Sequence, residues 1–130
     1  MMGQRNVPCP NNRSYIKMIF VTGPLFAGKK SYIKEQLGLT DEEFEEQAVW
    51  DVQELARGKN EGELEKLADS FLEKTIVIST ETGGGVVPMD EKERRDREAA
   101  GRLSILLAKR ADTVVRVVCG IGTVIKGELK

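Results

Sequence analysis

Residues 18–37, MIFVTGPLFAGKKSYIKEQL, restrict the fold of this chain more than any other stretch. Met18–Thr22 is an apolar run of strand length bounded by Gly23-Pro24, which suits a strand buried on both faces of a sheet. A helix is expected from about Lys29 to Leu37, closed by Gly38. Between the two, Gly23, Gly28 and Lys29 fall at the spacing G-x-x-x-x-G-K. In such a loop the glycines let successive N–H groups converge on phosphate oxygens. The helix adds its positive N-terminal end, and the lysine reaches the outer phosphates. The candidate phosphate-binding residues are Gly23, Pro24, Leu25, Phe26, Ala27, Gly28, Lys29, Lys30 and Ser31. The plainer reading, a glycine-rich turn with a surface lysine, is weaker because strand, loop and helix patterns surround the spacing in the required order.

Lys30 stands where such loops carry a serine or threonine hydroxyl for magnesium. Two unit charges roughly 4 Å apart interact by about 4 kcal/mol at an effective dielectric of 20, and a divalent ion doubles that repulsion. Lys30 is therefore expected either to point away or to take over part of the metal's role as an extra phosphate clamp. Ser31 comes one residue late, about 100° further round the helix, and is a poor substitute. Mg2+ stays open as a cofactor, and no residue is assigned as a metal ligand.

The rest of the chain alternates strand and helix signals. Thr40 with Glu43 forms a capping box that starts a helix near Asp41, and Leu39 with Phe44 offers a hydrophobic staple. Residues 48–55, AVWDVQEL, read two ways. Phe44, Ala48, Val52 and Leu55 share a helical face, while Ala48-Val49-Trp50 could be a short strand ending at Asp51. Leu64, Leu67, Ala68, Phe71 and Leu72 mark an amphipathic helix. Thr75–Thr80 is a β-branched strand, followed by the glycine-rich segment ETGGGVVP. Asp90 and Glu93 cap a long helix reaching about Arg110. Thr113–Cys119 is a third strand, and a Gly120-Ile121-Gly122 turn leads to a short last one, Thr123–Lys126. The fold class is α/β with a mainly parallel sheet. Residues 1–17 read as an irregular extension, and 18–130 as one domain.

With 40 % hydrophobic and 32 % charged residues, the composition is that of a soluble globular protein. A net charge of −1 supplies no field for nucleic acid or an anionic membrane. Apolar runs are far shorter than a membrane span, and no signal peptide is visible. Cys9 and Cys119 make no disulfide framework, so a cytoplasmic setting is expected. The 130 residues contain no histidine.

The segments VISTETGGGVVP, REAAGR and ADTVVRVVCGIGTVIK, together with the first strand and its loop, resemble the bifunctional adenosylcobinamide kinase / adenosylcobinamide-phosphate guanylyltransferase family of cobalamin biosynthesis. The resemblance is densest from Ile76 to Lys126. It implies a P-loop NTPase-like (RecA-like) sheet, a homotrimer, ATP or GTP as nucleotide, and phosphorylation of a corrinoid side-chain hydroxyl. It also implies transfer of GMP through a guanylylated histidine. The phosphate loop corresponds to Gly23–Lys30, the family's acidic residue near the nucleotide to Asp51, and the glutamate before its glycine loop to Glu81. The family's middle region, with its histidine-bearing helix, is mostly missing between Gly38 and Ala48. A shortened member, keeping the kinase and lacking the guanylyltransferase, is the expectation. The rival is a nucleotide-binding relative without catalysis, and a weaker third reading is a structural trimer whose loop holds an adventitious anion.

Candidate catalytic residues are thus Lys29, Asp51 and Glu81. Asp51 would orient the acceptor hydroxyl or hold magnesium through water; its plainer role is a solvated helix residue paired with a lysine. Glu81 sits at a strand's C-terminal end, where open α/β sheets bind ligands; its plainer role is loop bonding. Gly83-Gly84-Gly85 either let a backbone close over substrate or supply turns. Arg94, Arg95, Arg97 and Arg102, among acidic neighbours, read as a solvated face. Trp50 reads as core, and Cys119 as a buried inert thiol.

Overall fold

The computed structural model of the chain describes residues 18–81 and 90–128. Residues 1–17 and the triple glycine Gly83–Gly85 lie outside them. Successive strand residues face opposite sides of a sheet, and here both sides are apolar. β1 (Ile19–Gly23) sends Phe20 to one side and Ile19 and Val21 to the other. β3 (Ile76–Thr80) divides Val77 from Ile76 and Ile78, and β4 (Thr113–Val118) divides Val114 from Val115 and Val117. Each side therefore needs a helical layer.

The order is β2-β3-β1-β4-β5, with β1 in the middle. β1 pairs in parallel with β3 and β4, and the two-residue β2 (Ala48–Val49) pairs in parallel with β3. β5 (Ile121–Lys126) returns antiparallel along β4 as the edge strand. The result is a shortened P-loop NTPase-like α/β sheet. α1 (Lys29–Leu37) and α2 (Asp41–Gln47) cover one face through Ile33 and Phe44. α3 (Glu61–Ser70) and α4 (Glu91–Arg110) cover the other through Leu64, Ala68, Leu103 and Leu107.

Three helices start with reciprocal side-chain caps: Thr40 with Glu43, Asn60 with Glu63, and Asp90 with Glu93. Each satisfies amide groups that no helical carbonyl can reach. Asn60→Ala should lower stability by about 1 kcal/mol, measured by urea unfolding, because Glu63 N–H loses its acceptor at 2.9 Å. An unchanged midpoint would deny the cap its role.

The structure settles residues 48–55 and corrects three other expectations. α2 stops at Gln47, β2 is strand, and Val52–Ala56 forms a 3₁₀ turn that leaves Leu55 exposed. The common helical face was an accident of spacing. The turn before the last strand is Cys119-Gly120, with φ of 54° and 75°. Two positive φ values in a two-residue hairpin match the twist of the flanking strands. Gly122 is already inside β5, where any Cβ would collide with the Tyr32 ring. Cys119 is consequently an exposed turn residue, not a buried one. Among the described residues no helix is long and apolar enough to cross a membrane.

Candidate functional site

α1 is the exception among the described α-helices. Its N-cap is Gly28 at φ 84°, and no side chain caps it. Gly28 adopts the left-handed conformation at little steric cost, so the chain can turn from the loop directly into the helix. The first N–H groups of α1 are thus left for an external acceptor, at the end of the helix where an anion is favoured. Phe26 also has positive φ, 61°, with its ring 93 % exposed. Such a conformation in a non-glycine residue is strained, and strain of this kind gathers at ligand loops.

Lys29 is the most buried lysine among the described residues, 8 % exposed. Its ammonium donates to the Pro24 carbonyl at 2.8 Å and the Gly23 carbonyl at 3.3 Å. The side chain therefore arches back under its own loop. Burial pulls its pKa below the ordinary lysine value, opposed by the negative charges of Asp51 and Glu81. An arriving phosphate would offset the cost of keeping this ammonium charged.

A second contact steadies the loop from behind. Gly120 N–H donates to the Ala27 carbonyl at 2.8 Å, so the β4–β5 turn braces the phosphate loop. Sequence reasoning assigned that turn no such function. The signal was present in its Cys119-Gly120 pair, but the partner lies far away in the sequence.

The loop residues from Leu25 to Ser31 line one open cavity of about 320 Å³, together with Trp50, Asp51, Ile78 and Thr80. Asp51 lies beyond the end of β2 at φ 57° and leads into the 3₁₀ turn. Its proposed position beside the loop and this placement agree, whereas a helical setting does not. Trp50 is half-buried and stacks on Phe44, with centroids 5.6 Å apart and planes 18° from parallel. It belongs to the cavity wall as well as to the core edge. The Lys30 ammonium lies over the Trp50 ring, 4.2 Å from the centroid, on the wall of the same cavity.

Glu81 stands apart from this group. Its N–H donates to the Gly23 carbonyl at 2.8 Å, which ties it to the root of the loop. Its carboxylate accepts two bonds from Arg116, at 2.7 and 2.8 Å. Arg116 was not singled out from the sequence, being one charged residue in an otherwise apolar strand. The pair borders a second cavity of about 450 Å³ between α4 and the sheet, walled by Phe20, Ile105, Ala108 and Ile125. Thr80, at the end of β3, lines both cavities, which otherwise lie against opposite faces of the sheet.

Arg116 holds the Glu81 carboxyl below its ordinary value near 4.5, against burial, with Lys29 and Thr22 adding to the effect. A depressed folded pKa gives stability that is present above the ordinary value and fades as pH falls through the folded one. Both partners are partly exposed, so the effect is small and salt-sensitive. Glu81→Gln should melt slightly below wild type near neutral pH, with the gap closing below about pH 4. A gap independent of pH would remove the ion pair from the account.

Of the groups that could meet a magnesium ion beside the phosphates, the cavity holds the Asp51 carboxylate but no hydroxyl directly after Lys29. The hydroxyl position holds the Lys30 ammonium, and among the described residues no three His, Cys, Asp or Glu side chains gather as a metal site.

A family model described as cobinamide kinase / cobinamide phosphate guanyltransferase matches residues 39–125, well over half of the chain. The chain belongs to this family. The matched span starts after the phosphate loop, so the loop stands on its own spacing and geometry. The chain is 39 % identical over 71 residues to the bifunctional adenosylcobalamin biosynthesis protein CobP of Pseudomonas aeruginosa, covering 52 % of this chain and 41 % of that one. It is 43 % identical over 53 residues to the CobU protein of the same description from Salmonella typhimurium, covering 41 % and 29 %. With the Escherichia coli CobU protein the figures are 35 % over 80 residues, covering 59 % and 44 %. The matched part is less than half the length of each of these relatives.

Proposed function

We propose that this family member binds the triphosphate of ATP or GTP at Gly23–Lys30 and transfers the γ-phosphoryl group to a side-chain hydroxyl of adenosylcobinamide. The observation that carries the reading is the uncapped start of α1 at Gly28, with the buried Lys29 ammonium beneath it. In the proposed step the acceptor oxygen bonds to the γ-phosphorus while the bond from that phosphorus to the β-phosphate bridging oxygen breaks. The nucleoside diphosphate leaves, and the hydroxyl proton passes to the Asp51 carboxylate and then to water. Lys29 and the loop amides neutralise charge on the transferred group, the main requirement of phosphoryl transfer. Glu81 and Arg116 line the second cavity and would border the acceptor there.

GMP transfer through a histidine is left out of this function, because the 130 residues contain none. Assembly into a homo-oligomer, a trimer by family resemblance, would cover Ile121, Val124 and Ile125 on the exposed β5 edge. An intracellular, reducing setting suits the exposed Cys119.

A second reading, a nucleotide-binding relative without turnover, is favoured by Lys30 at the hydroxyl position and by the engagement of Glu81 with Arg116. Incubation of the chain with adenosylcobinamide and radiolabelled ATP or GTP separates the two. Labelled corrinoid phosphate supports the kinase, and bound nucleotide with no labelled product supports the second reading.

A further inference from the structure

Trp50, Lys30 and the phosphate loop share one wall of the same cavity, and their arrangement has a consequence for the ligand. The buried Phe44 backs the indole, so Trp50 is a fixed platform rather than a freely moving ring. Lys34, which also lies near Phe44, is held by Asp41 at 2.6 Å and does not compete for the indole. Lys30 is exposed, and its ammonium rests on the platform through a cation–π contact. Such a contact at an exposed site is weaker than a charge-assisted bond to a phosphate oxygen. A triphosphate on the loop would therefore draw Lys30 off the indole. With Lys29 and Lys30 against Asp51, the charged side chains lining the cavity sum to one positive charge.

Resting on the phosphate-loop reading, we propose that Lys30 takes the place of the divalent ion and that this loop binds a nucleoside triphosphate in its metal-free form. Magnesium brings no further affinity, because the ammonium repels it from the position where a hydroxyl would have received it. The Trp50 platform sets the resting place of Lys30, and the triphosphate sets the engaged one.

Trp50 is the only tryptophan, so its emission reports the departure of Lys30 without any label. ATP, GTP and inorganic tripolyphosphate are titrated into the whole chain, with EDTA and separately with Mg2+, by fluorescence and by calorimetry. The wild type should bind with dissociation constants within about threefold in the two buffers, with a change in Trp50 emission. Lys30→Ser should bind about tenfold or more weakly in EDTA and recover in Mg2+, while Lys30→Arg keeps metal-free binding. Wild-type binding that needs Mg2+ by more than about tenfold, or Lys30→Ser binding unchanged in EDTA, overturns the proposal and leaves the phosphate loop standing. Absence of binding in both buffers overturns the two together.

Discussion

Lys29→Ala is expected to weaken ATP and GTP binding by about a hundredfold and to leave the fold intact. The size follows from what is removed: an ammonium that the fold has already carried into the root of the loop. In the absence of phosphate it is held by the Pro24 and Gly23 carbonyls at 2.8 and 3.3 Å. Those bonds fix its place, while the charges of Asp51 and Glu81 oppose the cost of burying it. On binding, it would exchange carbonyl oxygens for phosphate oxygens, and charged acceptors make the stronger bond. The Gly23 carbonyl also accepts from Glu81 N–H, so deletion of the ammonium does not leave that oxygen alone. The melting temperature should consequently fall by only a few degrees. Calorimetry and thermal melting on the same variant check the two halves. A stable variant that binds as tightly as wild type would show that the phosphates lie elsewhere.

Gly23→Ala is expected to damage fold and site together. Gly23 ends β1 beside β4, and a Cβ there would collide with the Val117 carbonyl oxygen. That atom belongs to the backbone of a paired strand and cannot rotate aside. The Lys29 side chain lies on the same side, with its Cδ 3.4 Å from the position a Cβ would take. The strand ends must separate or the loop must shift, at a cost of about 1–3 kcal/mol or more. Either movement displaces the Lys29 ammonium and the Glu81 N–H, both of which bond to the Gly23 carbonyl. Urea unfolding should give a clearly lower midpoint, and nucleotide binding should be lost. Wild-type stability would mean that Gly23 is tolerated for reasons other than this close approach.

The parts of the fold that were legible in the sequence are those fixed by neighbours a few residues apart. The Thr40–Glu43 and Asp90–Glu93 caps, the apolar run before Gly23 and the β-branched run before Glu81 all act locally, and each lies where the spacing put it. Residues 48–55 were ambiguous because Val52 and Ala48 are buried equally well in either arrangement. The decision came from pairing with Ile76 and Val77, far along the chain. Cys119 was misread for a related reason: an apolar strand composition extends up to it, but the twist of a tight hairpin turns it outward.

The candidate site divides in the same way. Gly23, Gly28 and Lys29 are recognisable from spacing alone, since strand, turn and helix are consecutive. The platform under Lys30 was not, because Trp50 and Phe44 reach it from other elements. The Glu81–Arg116 pair likewise joins residues on β4 and just beyond β3. Contacts made across a sheet leave no periodic trace in a single sequence.

The central claim is that the Gly23–Lys30 loop holds the phosphates of a nucleotide. A ligand that binds only the folded chain raises its stability in proportion to the logarithm of concentration over dissociation constant. Thermal melting of the whole chain in ATP or GTP, raised stepwise to millimolar concentration, reads this directly. The account predicts a melting temperature that climbs by several degrees in wild type and stays flat in Lys29→Ala. A flat wild-type curve with both nucleotides would contradict it.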